Sequence, residues 1–158
     1  MPVFNAGPFL DGCISSVVEQ DYMHWELIAV DDNSSDDSDK VLQNWASRDS
    51  RIHVLENKGS GIIDALQTGY SQSKGQIIHR MDADDLMPRE KLSTMLNKLE
   101  ANTVVTGKVK YFREDQPVGD GFLTYSNWLN TLWTSGSGWN DIYKECPTAS
   151  PAWMMYRD

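Results

Sequence analysis

The chain has 158 residues, 40% of them hydrophobic, and its 14 lysines and arginines face 23 aspartates and glutamates for a formal net charge of −9. That size and composition fit one domain with a sizeable core and exclude a wholly disordered chain, while the acidic balance excludes non-specific binding to a nucleic-acid backbone, which needs clustered cations. No apolar run approaches the roughly 18 to 20 residues of a membrane span, no signal-peptide pattern opens the chain, and Cys13 and Cys146 lack zinc or disulfide-framework spacing, so a soluble, cytoplasmic domain is expected.

The first hundred residues alternate helix and strand patterns. Residues 9–20 place Leu10, Ile14, Val17 and Val18 at helical spacing behind Gly7-Pro8. Residues 25–30 (WELIAV) read as a buried strand that stops at Asp31-Asp32. A surface helix is expected over 36–48 with Val41, Leu42 and Trp45 inward, then a short strand over 52–55. Residues 62–73 read as a helix with Ile62, Ile63, Leu66 and Tyr70 on its inner face, ended by Lys74-Gly75. A third strand, 76–81, again stops at acids, and Pro88 opens a helix to about Leu99 with Leu92, Met95, Leu96 and Leu99 inward. Beyond residue 103 the rhythm changes. A strand is expected over 103–112, a turn over 116–121, a helix over 127–134 carrying Trp128, Leu129, Leu132 and Trp133, and a flexible stretch over 135–139; residues 146–157 suit either state. Alternation of this kind predicts βαβ units and an α/β fold.

Ligands of open α/β sheets bind outside the carboxyl ends of the strands, where both acid clusters fall. Asp82, Asp84 and Asp85 are three carboxylates within four positions, which repel one another unless a cation or donors compensate. Mg²⁺ or Mn²⁺ takes oxygen ligands, commonly one or two carboxylates plus substrate phosphates. Asp36, Asp37 and Asp39 read instead as charges at a helix start. His24, His53 and His79 share no metal spacing and read as surface or packing residues. The loop Lys58-Gly59-Ser60-Gly61 can offer backbone N–H groups to a phosphate but lacks a P-loop ending.

In order and together, PVFNA at 2–6, Ser15, Ser16, Val17 and Gln20, the stretch 26–34 ending VDDNS, Gly61 to Gly69, Lys74-Gly75, and RMDADD at 80–85 closed by Pro88 resemble the inverting nucleotide-sugar glycosyltransferases of family 2. The resemblance covers roughly residues 1–100. It implies the A-type glycosyltransferase fold: a three-layer α/β/α sandwich with a Rossmann-like, mostly parallel sheet, in one catalytic domain over 1–158. Residues 1–100 would form the nucleotide-sugar half and 101–158 the start of the acceptor half. It also implies roles. Pro2, Val3, Phe4 and Asn5 would line the nucleotide pocket, Asp32 would bond the base with Asp31 in support, and Lys58 and Asp64 would complete the pocket. Asp82, Ala83 and Asp84 would bind the nucleotide sugar, and Asp84 and Asp85 the Mg²⁺ or Mn²⁺ that bridges the diphosphate. The implied donor is a nucleoside-diphosphate sugar, with a UDP-sugar favoured. The implied acceptor is a saccharide or lipid-linked molecule of polysaccharide biosynthesis, with no nucleic acid involved, at the cytoplasm or the inner face of the membrane.

Three departures accompany the resemblance. The full apolar strand that precedes PVFN in the family is at best a stub here, and Leu66-Gln67 stand where many relatives carry Arg-Asn, leaving Lys58 as the substitute cation. The family's acidic pair bearing the general base is expected beyond Asp158, and nothing promotes Asp141 or Glu145 to that role. The chain is thus expected to be a catalytic domain cut short at both ends. Two rival readings are a nucleotide-sugar-binding domain without turnover and a receiver-like signalling domain using Lys108 or Lys110.

Overall fold

A computed structural model describes residues 1–113, 115–132, 134–135, 138–141 and 146–157. Its elements run β1 (Pro2–Val3), α1 (Gly7–Val18), β2 (Leu27–Asp31), α2 (Ser38–Arg48), β3 (Ile52–Glu56), α3 (Ile62–Gln72), β4 (Ile77–His79), α4 (Lys91–Leu96), β5 (Val104–Thr106), α5 (Asp120–Leu132) and β6 (Trp153–Tyr156). Two short 3₁₀ turns, Gly138–Asp141 and Ser150–Ala152, precede β6.

The continuous apolar run of β2 is explained by burial on both faces. Leu27 and Ala29 join Leu10 and Ile14 of α1 and Leu42 of α2 in one cluster, while Ile28 and Val30 meet Ala65 of α3 on the other side. Helices therefore cover both faces of a parallel sheet ordered β1-β2-β3, the three-layer arrangement expected of the sequence. A second sheet, ordered β4-β6-β5, is antiparallel, with Ile77 opposite Tyr156 and Val104 opposite Met155. The parallel sheet is the one the sequence reading expects, and among the described residues a separate antiparallel sheet of three strands stands beside it. A second core of Cys13, Val17, Met81, Met87, Leu92, Met95 and Met154 joins the back of α1 to that sheet.

Gln20 fastens the joint. Its buried amide donates to the Ser16 and Pro88 carbonyls at 3.0 and 2.8 Å, and its oxygen accepts from the Leu92 N–H at 3.0 Å. Arg157, just after β6, donates to the Tyr70 and Ser73 carbonyls, each at 2.7 Å, and its guanidinium lies over the Tyr70 ring. These carbonyls stand at the end of α3, where a cation is favourable.

Several elements depart from the sequence reading. Ile62, Ile63 and Tyr70 are about half exposed or more, and the face of α3 against the sheet is Ala65 and Gly69 instead. A methyl group added at Gly69 would stand 3.4 Å from Val30 and 4.0 Å from Ile28, so small residues let the helix approach the sheet closely. The fourth helix is the six residues of α4, and the strand over 103–112 shrinks to Val104–Thr106. The helix expected from 127 starts at Asp120, inside the expected turn, and buries Leu129 and Leu132; Trp133 lies outside the described residues. Gly138–Asp141 forms a 3₁₀ turn where a flexible stretch was expected, while Gly136 and Ser137 lie outside the described residues. The ambiguous stretch 146–157 supplies the central strand of the second sheet. No helix among the described residues is long and apolar enough to cross a membrane.

Candidate functional site

The carboxyl ends of β1 and β2 lie side by side, with the Asp32 N–H donating to the Val3 carbonyl at 2.7 Å. Ala83 is buried in the cluster that holds Val3, Ala6 and Leu10, which docks the 82–85 turn against the β1–α1 junction. The fold therefore brings the two acid clusters to either side of the end of β1, as the strand-end reading anticipates.

The turn after β1 is held in an unusual backbone shape. Asn5 and Asn33 adopt φ of 49° and 60°, a left-handed region that Asn tolerates better than most residues. The Asn5 side-chain oxygen accepts from the Ser35 N–H at 2.8 Å, and the Asn5 N–H donates to the Ser34 hydroxyl at 3.0 Å. Asp36, which sequence suggests as a helix-start charge, instead bridges two elements. It accepts from the Gly7 N–H at 3.0 Å and from the Ser38 N–H and hydroxyl at 3.0 and 2.5 Å. Those Ser38 bonds lead the causes that hold its carboxyl below the usual range. Phe4, beside them, is 63% exposed and turns toward solvent.

Asp32 is engaged on its inner side. Its carboxylate accepts from the Gly61 N–H at 2.9 Å and from the Asn57 amide at 2.6 Å. Asn57 is buried, its own N–H donates to the Asp31 carbonyl at 2.8 Å, and its oxygen accepts from Gly59 at 3.2 Å. Sequence reasoning passed over Asn57; an Asn at a strand end before a Gly-bearing loop was the available signal, since its amide can serve two loops at once. Asp31 accepts from the Ser34 N–H at 3.2 Å with one oxygen, while its other oxygen is buried without a partner among the described residues. Lys58 and Asp64 are exposed, and Asp64 accepts from the Ser60 N–H at 3.0 Å, so it shapes the loop that carries Lys58.

In the second cluster, Asp82 pairs with Arg80 at 3.0 Å, Asp84 is exposed, and Asp85 is half-buried. Burial, followed by the negative charges of Asp84 and Asp82, raises the Asp85 carboxyl above its ordinary range. No group of three or more His, Cys, Asp or Glu side chains is assembled to hold a metal among the described residues. The donor set nonetheless fits Mg²⁺ or Mn²⁺: these cations take oxygen ligands from one or two carboxylates plus substrate phosphates, and a cation would relieve the repulsion recorded at Asp85. His24, His53 and His79 are not grouped among the described residues, and His79 donates through Nδ1–H to the Trp153 carbonyl. Glu145 and the Asp141 side chain lie outside the described residues.

Comparison with known proteins gives the family and the fold. A family described as Glycosyl transferase family 2 matches residues 1–158. The Escherichia coli UDP-Glc:alpha-D-GlcNAc-diphosphoundecaprenol beta-1,3-glucosyltransferase WfgD is 36% identical over 106 residues, covering 66% of this chain and 41% of its own length. The mannosyltransferase PcManGT from Pyrobaculum calidifontis, solved in complex with GDP-Man and Mn²⁺, superimposes with a TM-score of 0.61 at 27% identity, over 66% of this chain and 33% of its own. S. aureus TarS 1–349, solved in complex with UDP-GlcNAc, shares the fold with a TM-score of 0.68 at 18% identity, over 98% of this chain and 43% of its own. The chain spans less than half the length of the curated relatives it matches most strongly.

Proposed function

The chain belongs to glycosyl transferase family 2, and on that premise we propose that it takes a nucleoside-diphosphate sugar, a UDP-sugar foremost, and serves transfer of the sugar with inversion to a saccharide or lipid-linked acceptor. The observation that carries this reading is the docking of Asp31-Asp32 and of the 82–85 turn on either side of the end of β1. UDP-GlcNAc and GDP-Man with Mn²⁺ are bound by two similar structures, and a lipid-diphosphate acceptor is named for one relative. On this reading the work lies at the inner face of a membrane, in polysaccharide assembly.

Each residue has a task in this reading. Asp32 keeps lone pairs free beyond its bonds to Gly61 and Asn57, since a carboxylate offers about four acceptor sites, and these receive the N–H groups of the nucleobase. Asp31 steadies the loop through Ser34, and Pro2, Val3, Phe4 and Asn5 border the base. Lys58 faces the diphosphate, Asp64 sets the loop that carries it, and Asp82 with the Ala83 backbone borders the ribose. Asp84 and Asp85 hold Mg²⁺ or Mn²⁺, which when bound offsets the charge that grows on the departing diphosphate. Inversion follows from attack by the acceptor hydroxyl on the face opposite that group, with its proton passing to a carboxylate base. No described residue is assigned as that base; residues 101–158 begin the acceptor side.

Titration calorimetry with UDP and GDP, in Mn²⁺ and in chelator, tests the site. Metal-dependent binding with UDP preferred is expected. Binding unchanged by chelation overturns the metal assignment, and no binding of either nucleotide overturns the site.

A further inference from the structure

The 82–85 turn is crowded with negative charge, and the chain meets that charge unevenly. The Asp85 N–H donates to the Asp82 carbonyl at 3.3 Å, which folds the run tightly and keeps its three carboxylates near one another. After burial, the charges of Asp84 and then Asp82 weigh most on the Asp85 carboxyl. Two cations face the turn. Arg80 donates through Nε to Asp82 at 3.0 Å, in a pair whose side chains are 23% and 25% exposed. Lys91, at the start of α4, donates to the Pro151 carbonyl and acts on Asp85 through its charge, without an ion pair to it.

These contacts sort the three acids. Asp84 is exposed and has no ion-pair partner among the described residues, Asp85 is half-buried with Lys91 at a distance, and Asp82 alone is held by a cation. A partly buried, charge-assisted bond of this kind is strong, and an oxygen shared with a guanidinium is poorly placed to ligate a metal. In keeping with that, no three acidic or other donor side chains converge on one point among the described residues. Charge balance leads to the same place. Three carboxylates facing one guanidinium and one ammonium leave a net charge of about −1, which half-neutralises a divalent cation, so the phosphates of a ligand supply the balance.

We propose that Arg80 is a positioning residue that withholds Asp82 from the cation site, so that the 82–85 turn takes Mg²⁺ or Mn²⁺ weakly on its own and tightly only with a diphosphate. This rests on the reading that Asp84 and Asp85 hold the metal. Without the Arg80 guanidinium, Asp82 becomes a third free carboxylate in the turn and the net charge doubles. The turn is then a cation site in its own right, filled before any donor arrives. Arg80 thereby couples the cation to the donor, which brings it in and carries it away.

The test follows free Mn²⁺ by electron paramagnetic resonance as the chain is titrated at neutral pH, without nucleotide and with UDP, while urea midpoints report folding. Arg80→Gln is expected to tighten nucleotide-free Mn²⁺ binding on the order of tenfold or more, the worth of one more charge-assisted ligand. Arg80→Lys keeps a cation beside Asp82 and is expected to leave that binding weak. Adding Asp82→Asn to Arg80→Gln is expected to return the affinity to that of the unaltered chain, because the carboxylate that Arg80 restrains is gone. An arginine that only supports the fold would, when replaced, weaken metal binding or leave it alone. Equal or weaker nucleotide-free binding by folded Arg80→Gln, or tightening that survives Asp82→Asn, overturns the proposal. Asp84→Ala separates the two readings. If it leaves metal-dependent UDP binding unchanged, the metal assignment and this proposal fall together; if it weakens that binding while Arg80→Gln fails to tighten Mn²⁺, this proposal alone falls. Should Arg80→Gln not fold, the Arg80 Nε–H signal of the unaltered chain is followed by nuclear magnetic resonance as Mg²⁺ and UDP are added. Its persistence supports the pairing, and its loss to solvent exchange overturns it.

Discussion

At the scale of single residues, the acids at the strand ends divide by what they already bond. Asp84 is exposed, so its substitution tests ligand binding with little effect on folding. Asp84→Ala is expected to weaken metal-dependent UDP binding by roughly 1.5 to 3 kcal/mol, the worth of a charge-assisted contact. Asp37→Ala, which removes only an exposed partner of Lys40, is expected to leave binding unchanged; calorimetry on the two variants side by side checks this. Asn57 presents the opposite case. Its truncation to Ala strands the buried side of Asp32 and the Gly59 N–H, and is expected to cost about 1 to 3 kcal/mol in urea unfolding. Asp31, Asp32 and the 82–85 run were legible because acids at strand ends are chemically unusual. Asn57 and Asp36 were not, because their partners Asp31, Asp32 and Gly7 come from other parts of the chain, 25 or more positions away from Asp32 and Gly7.

At the scale of elements, periodicity located α1, α2, β2 and β3 to within two residues or so, since each has a face buried by neighbours close in sequence. It failed for the inner face of α3. Apolar spacing selects the bulkiest stripe, whereas the sheet selected Ala65 and Gly69 because closeness decided the packing. It also left β6 ambiguous, because WMMY carries no alternation and its partners are nearly 50 and nearly 80 positions back. Two substitutions check these packings by urea unfolding. Gly69→Leu is expected to cost about 1 to 3 kcal/mol by forcing α3 off Val30, while Ile63→Ser stays within about 0.5 kcal/mol. Gln20→Leu keeps volume but leaves the Leu92 N–H without its acceptor, and is expected to cost about 1 to 3 kcal/mol.

At the scale of the whole molecule, two buried bases set the response to acid. The Met1 amine is held down to about 6 from 8.0 and His79 to about 4 from 6.5, in both cases chiefly by burial. Between pH 8 and 6 the unfolded chain binds a proton at the amine that the folded chain refuses, and His79 repeats this between 6.5 and 4. Stability therefore falls as pH drops through both windows, with the amine contributing about 2 to 3 kcal/mol. Urea midpoints at pH 8, 6 and 4.5 check this: acetylating the amine is expected to flatten the upper window, and His79→Gln the lower. The order β4-β6-β5 carries a consequence for synthesis. A chain leaving the ribosome amino end first completes β1, α1, β2, α2, β3 and α3 as a contiguous run, and the parallel sheet can close on its own. β4 and β5 emerge next but share no edge with each other, and both wait for β6. Until Trp153–Tyr156 clear the exit tunnel, Ile77, Ile78, Val104 and Val105 stay open to chaperones and to neighbouring nascent chains, so a stall in translation before β6 emerges leaves the parallel sheet folded and the strands of the second sheet adhesive.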